Sequence, residues 1–303
     1  MRCDRGRRDY ARLARLRFDA VDNCGQRERA MKAVMLAAGL GARLGSSEMR
    51  SSPKVLLRFG GKPLLQRHID ILKRHGIEEL VLGVGFNREE IDQEVAALGA
   101  EGYVRTVFNP DFEAGNIITL WTLRDELCWG GPVLLMDGDV LYDDRLMERL
   151  VTSNHLNCLL LDRVAALDDE AVKICIRNRE IVEFRKWLNA EFDFCGESVG
   201  FFKLSVSVAE SIITQIRHYI EQDRRHDSYE EPFRDVVLTS RRGTFAYEDV
   251  TGLPWIEIDS AADIEQANSE ILPRILEIAH LGRTAMVTPS NQVESRNIDN
   301  AGH

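Results

Sequence analysis

Two short segments hold the residues best suited to chemistry. The first is Leu36-Ala37-Ala38-Gly39-Leu40-Gly41-Ala42-Arg43-Leu44, followed by Pro53-Lys54. Small residues and two glycines after an apolar run let the backbone approach a ligand closely, and successive N–H groups can then surround phosphate oxygens. Arg43 and Lys54 add the charge needed to hold a polyphosphate and to stabilise charge during its transfer. The second segment is Met136-Asp137-Gly138-Asp139-Val140. Two carboxylates flanking a glycine at a strand end repel one another unless they hold something. A hard cation such as Mg2+ takes one or two carboxylates together with phosphates and water.

Blander readings compete with both. A dinucleotide fingerprint G-x-G-x-x-G fits badly: Gly39 and Gly41 match, but Leu44 stands in the third place. The second strand also ends Gly83-Val84-Gly85, without the acid a ribose needs. A Walker loop would require G-x-x-x-x-G-K-[ST], which is absent here. A purely structural strand–glycine–helix turn and a plain Asp-Gly turn remain open, although neither accounts for Lys54 after Pro53.

Apolar patterning supplies the elements that must position these groups. Lys32–Leu36, Glu79–Gly85, Val104–Phe108 and Pro132–Met136 read as buried strands. Leu64–His75, Arg88–Leu98 and Ile117–Leu127 read as amphipathic helices between them, the first closed by Gly76. This alternation predicts an α/β fold with a Rossmann-like, mainly parallel sheet and helices on both faces, its ligands bound beyond the carboxyl ends of the strands. Both chemical segments fall at such ends. Past Tyr142, strands at Asn157–Asp162, Val172–Arg177, Glu180–Phe184 and Val199–Leu204 suggest a smaller antiparallel substrate lobe. Helices are expected at Val206–Glu221 and Tyr229–Thr239, closing strands at Thr244–Tyr247 and Trp255–Ile258, and a long last helix at Ala261–Ile278.

L-A-A-G-x-G-x-R with P-K about ten residues later resembles the signature of the sugar-nucleotidyltransferase family. Trp255-Ile256-Glu257-Ile258-Asp259-Ser260 followed by Asp263 resembles the W-x-E-I-D-[ST]-x-x-D segment of its phosphocholine cytidylyltransferase-like branch. The resemblance covers roughly residues 31–275 and implies a nucleotidyltransferase fold. It implies that Leu36, Ala37, Ala38, Gly39 and Gly41 wrap a nucleoside triphosphate, CTP being favoured, while Arg43 and Lys54 contact its phosphates. Asp139 and Asp259 would hold Mg2+. Asn109, Asn116 and Thr119 would lie by the base, with Asp137 near the ribose or the acceptor; Asn116 is equally placed to cap the helix after it. Lys186 and the segment Glu197 to Gly200 match places where relatives hold a small phosphorylated or phosphono acceptor. Tyr229, Glu230 and Glu231 suit an amine or quaternary ammonium head, as do Trp187, Phe194 and Trp255. Phosphocholine, phosphoethanolamine, 2-aminoethylphosphonate and inositol 1-phosphate all remain possible. A sugar-1-phosphate uridylyl- or thymidylyltransferase, and a catalytically silent subunit of the same fold, are the competing functions.

The 303 residues carry a net charge of −10, which argues against a general nucleic-acid binder because no basic excess exists to displace counterions. No apolar run approaches the ~20 residues that cross a bilayer. Six cysteines without C-x-x-C spacing point to reduced thiols in a cytoplasm rather than to zinc or a disulfide framework. Residues 1–30 hold nine arginines against five acids and read as a basic extension, with the folded unit expected over 31–280 (nucleotide half 31–142, substrate lobe 143–280). A polar tail is expected over 281–303. The oligomeric state is left open.

Overall fold

The computed structural model describes residues 31–41, 52–163, 171–188 and 191–285. The basic extension, Arg43 with most of the loop after it, and the tail beyond Ala285 lie outside the described residues.

The chain begins with β1 (Lys32–Ala37), a small hairpin of β2 (Arg58–Phe59) and β3 (Lys62–Pro63), α1 (Leu64–Arg74), β4 (Glu79–Val84), α2 (Arg88–Ala97) and β5 (Val104–Phe108). Then come α3 (Asn116–Thr122), α4 (Arg124–Leu127), β6 (Val133–Asp137), β7 (Val140–Tyr142) and α5 (Asp144–Thr152). The second half holds β8 (Cys158–Asp162), β9 (Lys173–Arg177), β10 (Glu180–Arg185), β11 (Phe194–Leu204), α6 (Val206–Glu221) and α7 (Glu230–Thr239). It closes with β12 (Ala246–Asp249), β13 (Trp255–Glu257), α8 (Ala261–Gln266) and α9 (Leu272–Ala285).

The strands β5, β4, β1 and β6 are parallel, as the alternation of apolar runs and amphipathic stretches required. Along β1, Ala33 and Met35 pack toward α1, α2 and α5, while Val34 packs toward α3, α4, α6 and α7. Helices therefore cover both faces. The antiparallel strands join the same nine-stranded sheet through β11, which pairs with β6, β8 and β9. β11 starts at Phe194, five residues before the expected start. Its glycines hide it from sequence patterning. A Cβ on Gly196 would lie 2.5 Å from the Asp162 carbonyl oxygen, so the residue there must be small. At Gly200 (φ +77°) the ladder with β8 loses register between Ser198 and Phe202, a bulge that bends the strand.

Three expectations are corrected. Cys175 and Cys195 form a disulfide, not two reduced thiols. The antiparallel β9–β11 ladder sets them directly opposite one another, a juxtaposition their spacing in sequence could not reveal. The last helix is not uniform: a π-helical stretch, Ala267–Ile271, separates α8 from α9. Pro273 has no N–H to give the carbonyl four residues back and its ring crowds that carbonyl, so the turn before it widens. α9 also runs to Ala285, past the expected start of the tail. Gly76 (φ +73°) ends α1 as expected, with the Ile77 N–H bonded to the Leu72 carbonyl at 3.0 Å.

Candidate active site

β1 delivers Ala37 to Gly41 into a cavity of about 520 Å³ at the carboxyl end of the parallel strands. The Asp137-Gly138-Asp139 turn, at the end of neighbouring β6, lies against it. The Gly138 N–H donates to the Leu36 carbonyl at 3.0 Å, and a Cβ on Gly138 would approach that oxygen to 2.8 Å. Only glycine lets the two segments meet this closely. Beneath the turn, His68 is 1% exposed, with Nε2 3.1 Å from the Gly138 carbonyl oxygen. Burial pushes its pKa down to about 4, so the ring is neutral and Nε2–H donates to that carbonyl. Sequence reading missed His68; a histidine inside the apolar stripe of α1 was the available signal.

The second acidic residue comes from far along the chain. β13 pairs antiparallel with β7, Glu257 opposite Val140, and the Ile258 N–H donates to the Asp139 carbonyl at 2.9 Å. This short ladder carries Asp259 to Asp139. Ile258 is fully buried and anchors it, while Asp263 accepts from the Asp259 and Ser260 N–H groups and caps α8 in a capping box with Ser260. Between the two aspartates stands Lys54, its Nζ 2.9 Å from Asp139 Oδ2 and 2.6 Å from Asp259 Oδ1. Although burial alone would lower it, the two carboxylates hold the Lys54 pKa above its ordinary value.

Asp139, Glu257 and Asp259 each offer a carboxylate oxygen, all within 4.8 Å of one another. Glu257 borders the cavity with its side chain exposed. Desolvation of its carboxyl within the pocket, then the charges of Asp139 and Asp259, push its pKa up to about 8. A hard divalent cation suits this all-oxygen set, and the Lys54 ammonium already shows that a cation is accommodated on two of its members.

A smaller cavity of about 180 Å³ adjoins the first and shares Asn116, Asp137, Tyr229, Glu230, Glu257 and Asp259 with it. Val172, Lys186, Ser198 and Gly200 line only this one. The Tyr229 hydroxyl donates to Asp137 Oδ2 at 2.9 Å, and the Tyr229 N–H donates to Asn116 Oδ1 at 2.9 Å. Burial, then the neighbouring acids Asp139, Glu257 and Glu230, raise the Asp137 pKa well above the usual carboxylate range. Burial raises that of Glu230 too. The wall is therefore rich in carboxyl groups that an incoming cation would help to ionise. Gly200 is the floor: a Cβ there would sit 2.3 Å from Asp137 Oδ2.

Of the residues expected at the site, the structure brings together the Leu36–Gly41 loop, Lys54, Asn116, Thr119, Asp137, Asp139, Lys186, Gly200, Tyr229, Glu230 and Asp259. Asn109 is 1% exposed and donates to Thr119 Oγ1 at 3.0 Å, behind the cavity wall. Asn116 makes no capping bond, its side chain being taken by Tyr229. Glu231 turns to Arg185 at 3.0 Å, and Glu197 stands opposite Lys173 in the β9–β11 ladder, with Ser198 facing the cavity instead. Of the aromatics, Trp187 is 63% exposed, Phe194 packs on Tyr247, and Trp255 donates its indole N–H to Asp162 at 2.9 Å.

A parallel sheet whose carboxyl edge presents a glycine loop, a lysine and a set of carboxylates is suited to holding a polyphosphate together with a cation. Residues 33–172 match the MobA-like NTP transferase domain family. The chain is 27% identical over 267 residues to the CMP-5'-(3-aminopropyl)phosphonate synthase of Streptomyces rubellomurinus, covering 83% of this chain and 41% of that protein. It is 28% identical over 249 residues to the bifunctional IPC transferase and DIPP synthase of Archaeoglobus fulgidus, covering 81% and 45%. The chain thus spans less than half the length of these relatives. Among solved structures, the inositol-1-phosphate CTP transferase from T. maritima superposes with a TM-score of 0.64 at 23% identity, covering 82% of this chain and 96% of that one; this establishes the shared fold. Among the described residues no helix is long and apolar enough to cross a membrane.

Proposed function

We propose that the protein transfers CMP from CTP to a small phosphorylated or phosphono alcohol or amine, releasing pyrophosphate. One observation carries the reading: the Asp139–Lys54–Asp259 bridge stands where the large cavity of the glycine loop meets a small one bordered by Lys186. In this reading the loop N–H groups and Lys54 hold the triphosphate, with Arg43 assisting, while Asn116 and Thr119 lie along the base. The small cavity takes the acceptor, its anionic end toward Lys186 and its head against Asp137, Tyr229 and Glu230. A phosphate or phosphonate oxygen of the acceptor attacks the α-phosphorus, the bond from that phosphorus to the β-phosphate bridging oxygen breaks, and pyrophosphate departs with the electron pair. The attacking oxygen is already ionised near neutral pH, so no general base is needed. Lys54 and Lys186 stabilise the charge that develops. Asp139 and Asp259, with Glu257 beside them, would hold Mg2+, which when bound supplies charge neutralisation across the phosphates.

The name of the CMP-5'-(3-aminopropyl)phosphonate synthase supports a cytidylyl donor, and a 180 Å³ acceptor space bordered by four carboxyl groups favours a compact, amine-bearing acceptor over a hexose phosphate. Thermal-shift titration of the full chain with CTP, UTP, dTTP, GTP and ATP, each with magnesium, tests the donor. The largest stabilisation is expected from CTP; a larger one from UTP or dTTP would overturn the cytidylyl reading.

A further inference from the structure

Lys173 is a lysine where a small core would be expected to place an apolar residue. It lies on β9, the middle strand between β10 and β11, with Arg185 and Glu197 as its cross-strand neighbours. The residue is 6% exposed. Its ammonium donates to two main-chain carbonyls, that of Ala171 at 3.1 Å and that of Lys186 at 2.9 Å. An ammonium buried this deeply is strongly disfavoured unless its bonds are made, so its position is tightly determined.

The two carbonyls belong to the adjoining ends of β9 and β10 at the border of the small cavity. One precedes Val172 and the other is that of Lys186, and both of those residues line it. Ser198, a third lining residue, is tied to the same border through its N–H, which donates to the Val172 carbonyl at 2.8 Å. The buried charge thus joins the segment before Val172 to Lys186, and a backbone bond ties Ser198 to the first of these. Packing alone would be met by methionine or leucine; joining two carbonyls requires a donor with more than one N–H.

We infer that Lys173 is a positioning residue for the acceptor, clamping the 171–172 and 186 segments so that the Lys186 side chain is aimed into the small cavity. The inference rests on the proposed reading of that cavity as the acceptor site and deepens it.

The test is a double-mutant cycle on the full chain, using whichever of phosphocholine, phosphoethanolamine, 2-aminoethylphosphonate and inositol 1-phosphate turns over fastest. Lys186→Ala and Lys173→Met should each raise the acceptor KM about tenfold, leave the CTP KM within about twofold, and combine to little more than Lys186→Ala alone. Lys173→Arg, which keeps the charge and several donors, should recover part of the loss. Multiplying effects in the double variant, or a CTP KM that rises in step, would overturn the inference. If Lys173→Met does not fold, Lys173→Gln replaces it in the cycle. Failure of both to fold would make the residue one of stability and end the proposal. A normal acceptor KM for Lys186→Ala, or no turnover of any acceptor, would instead refute the acceptor site itself, and it would do so before the cycle is read.

Discussion

Replacing Lys54 with methionine removes the ammonium between Asp139 and Asp259 while keeping most of the side chain's volume. Each contact, at 2.9 and 2.6 Å, joins groups whose side chains are 15–29% exposed. At an effective dielectric of about 20, opposite charges about 4 Å apart attract by roughly 4 kcal/mol before desolvation is subtracted. Removing one partner of a fully buried pair costs about 3–5 kcal/mol. With water reaching both aspartates, about 2–3 kcal/mol is the better figure. For a domain of this size that is a fall in Tm of about 5–10 °C. Magnesium should then stabilise Lys54→Met more than the parent, because in the parent the ion must displace the lysine from the same oxygens. Turnover should drop on the order of 10²–10³ with the loss of a charge-stabilising group. Melting curves with and without magnesium, beside pyrophosphate release, read all three effects. A variant that melts with the parent and gains no more from magnesium would refute the bridge.

Three further predictions follow from the same geometry. Asp139→Asn should lower turnover on the order of 10²–10³ while Tm changes by only a few degrees, since Lys54 keeps Asp259 and the repulsion between neighbouring carboxyl groups is relieved; normal turnover with early melting would make the Asp-Gly-Asp segment a structural turn. His68 has its folded pKa depressed to about 4, so the stability it contributes is full above its unfolded value near 6.5 and is lost as pH falls toward 4, about 3 kcal/mol in all; in His68→Gln the dependence of Tm on pH over that window should flatten, and an unchanged slope would contradict the buried neutral ring. The Cys175–Cys195 bond closes a 20-residue separation, worth about 3 kcal/mol, so a reductant should lower Tm by about 6–12 °C in the parent and not in Cys175→Ser; intact mass without reductant must also show two hydrogens fewer than the fully reduced chain.

Much of the fold was legible because its signals are local. β5 and α6 fall on the expected residues, and β1, β4 and α1 within a residue or so, since a buried strand ending in glycines and an amphipathic stripe ending at Gly76 can be read within a dozen residues. Elements too short for periodicity escaped: β7 has three residues, and the β2–β3 hairpin two per strand. α5 was missed despite a signal, Asp143 as N-cap ahead of Leu146, Met147 and Leu150. The site divides in the same way. The glycine loop and the Asp-Gly-Asp turn announced themselves by residue type. The meeting of Asp139 with Asp259 rested on resemblance, because a ladder between residues more than a hundred positions apart produces it. Glu231 and Asn109 were chosen by type and position, yet they bond to Arg185 and Thr119; Glu197 borders neither cavity, and side-chain direction on its bulged strand depends on register, which sequence does not carry.

The most direct test of the account is pyrophosphate release by the full chain with CTP, magnesium and the four acceptors named above. The account predicts release that requires all three components together, with an equal yield of the CMP-linked acceptor, and greatest with an amine-bearing phosphate or phosphonate. Release at the same rate without any acceptor, or faster with UTP and a hexose 1-phosphate than with CTP and every small acceptor, would contradict it.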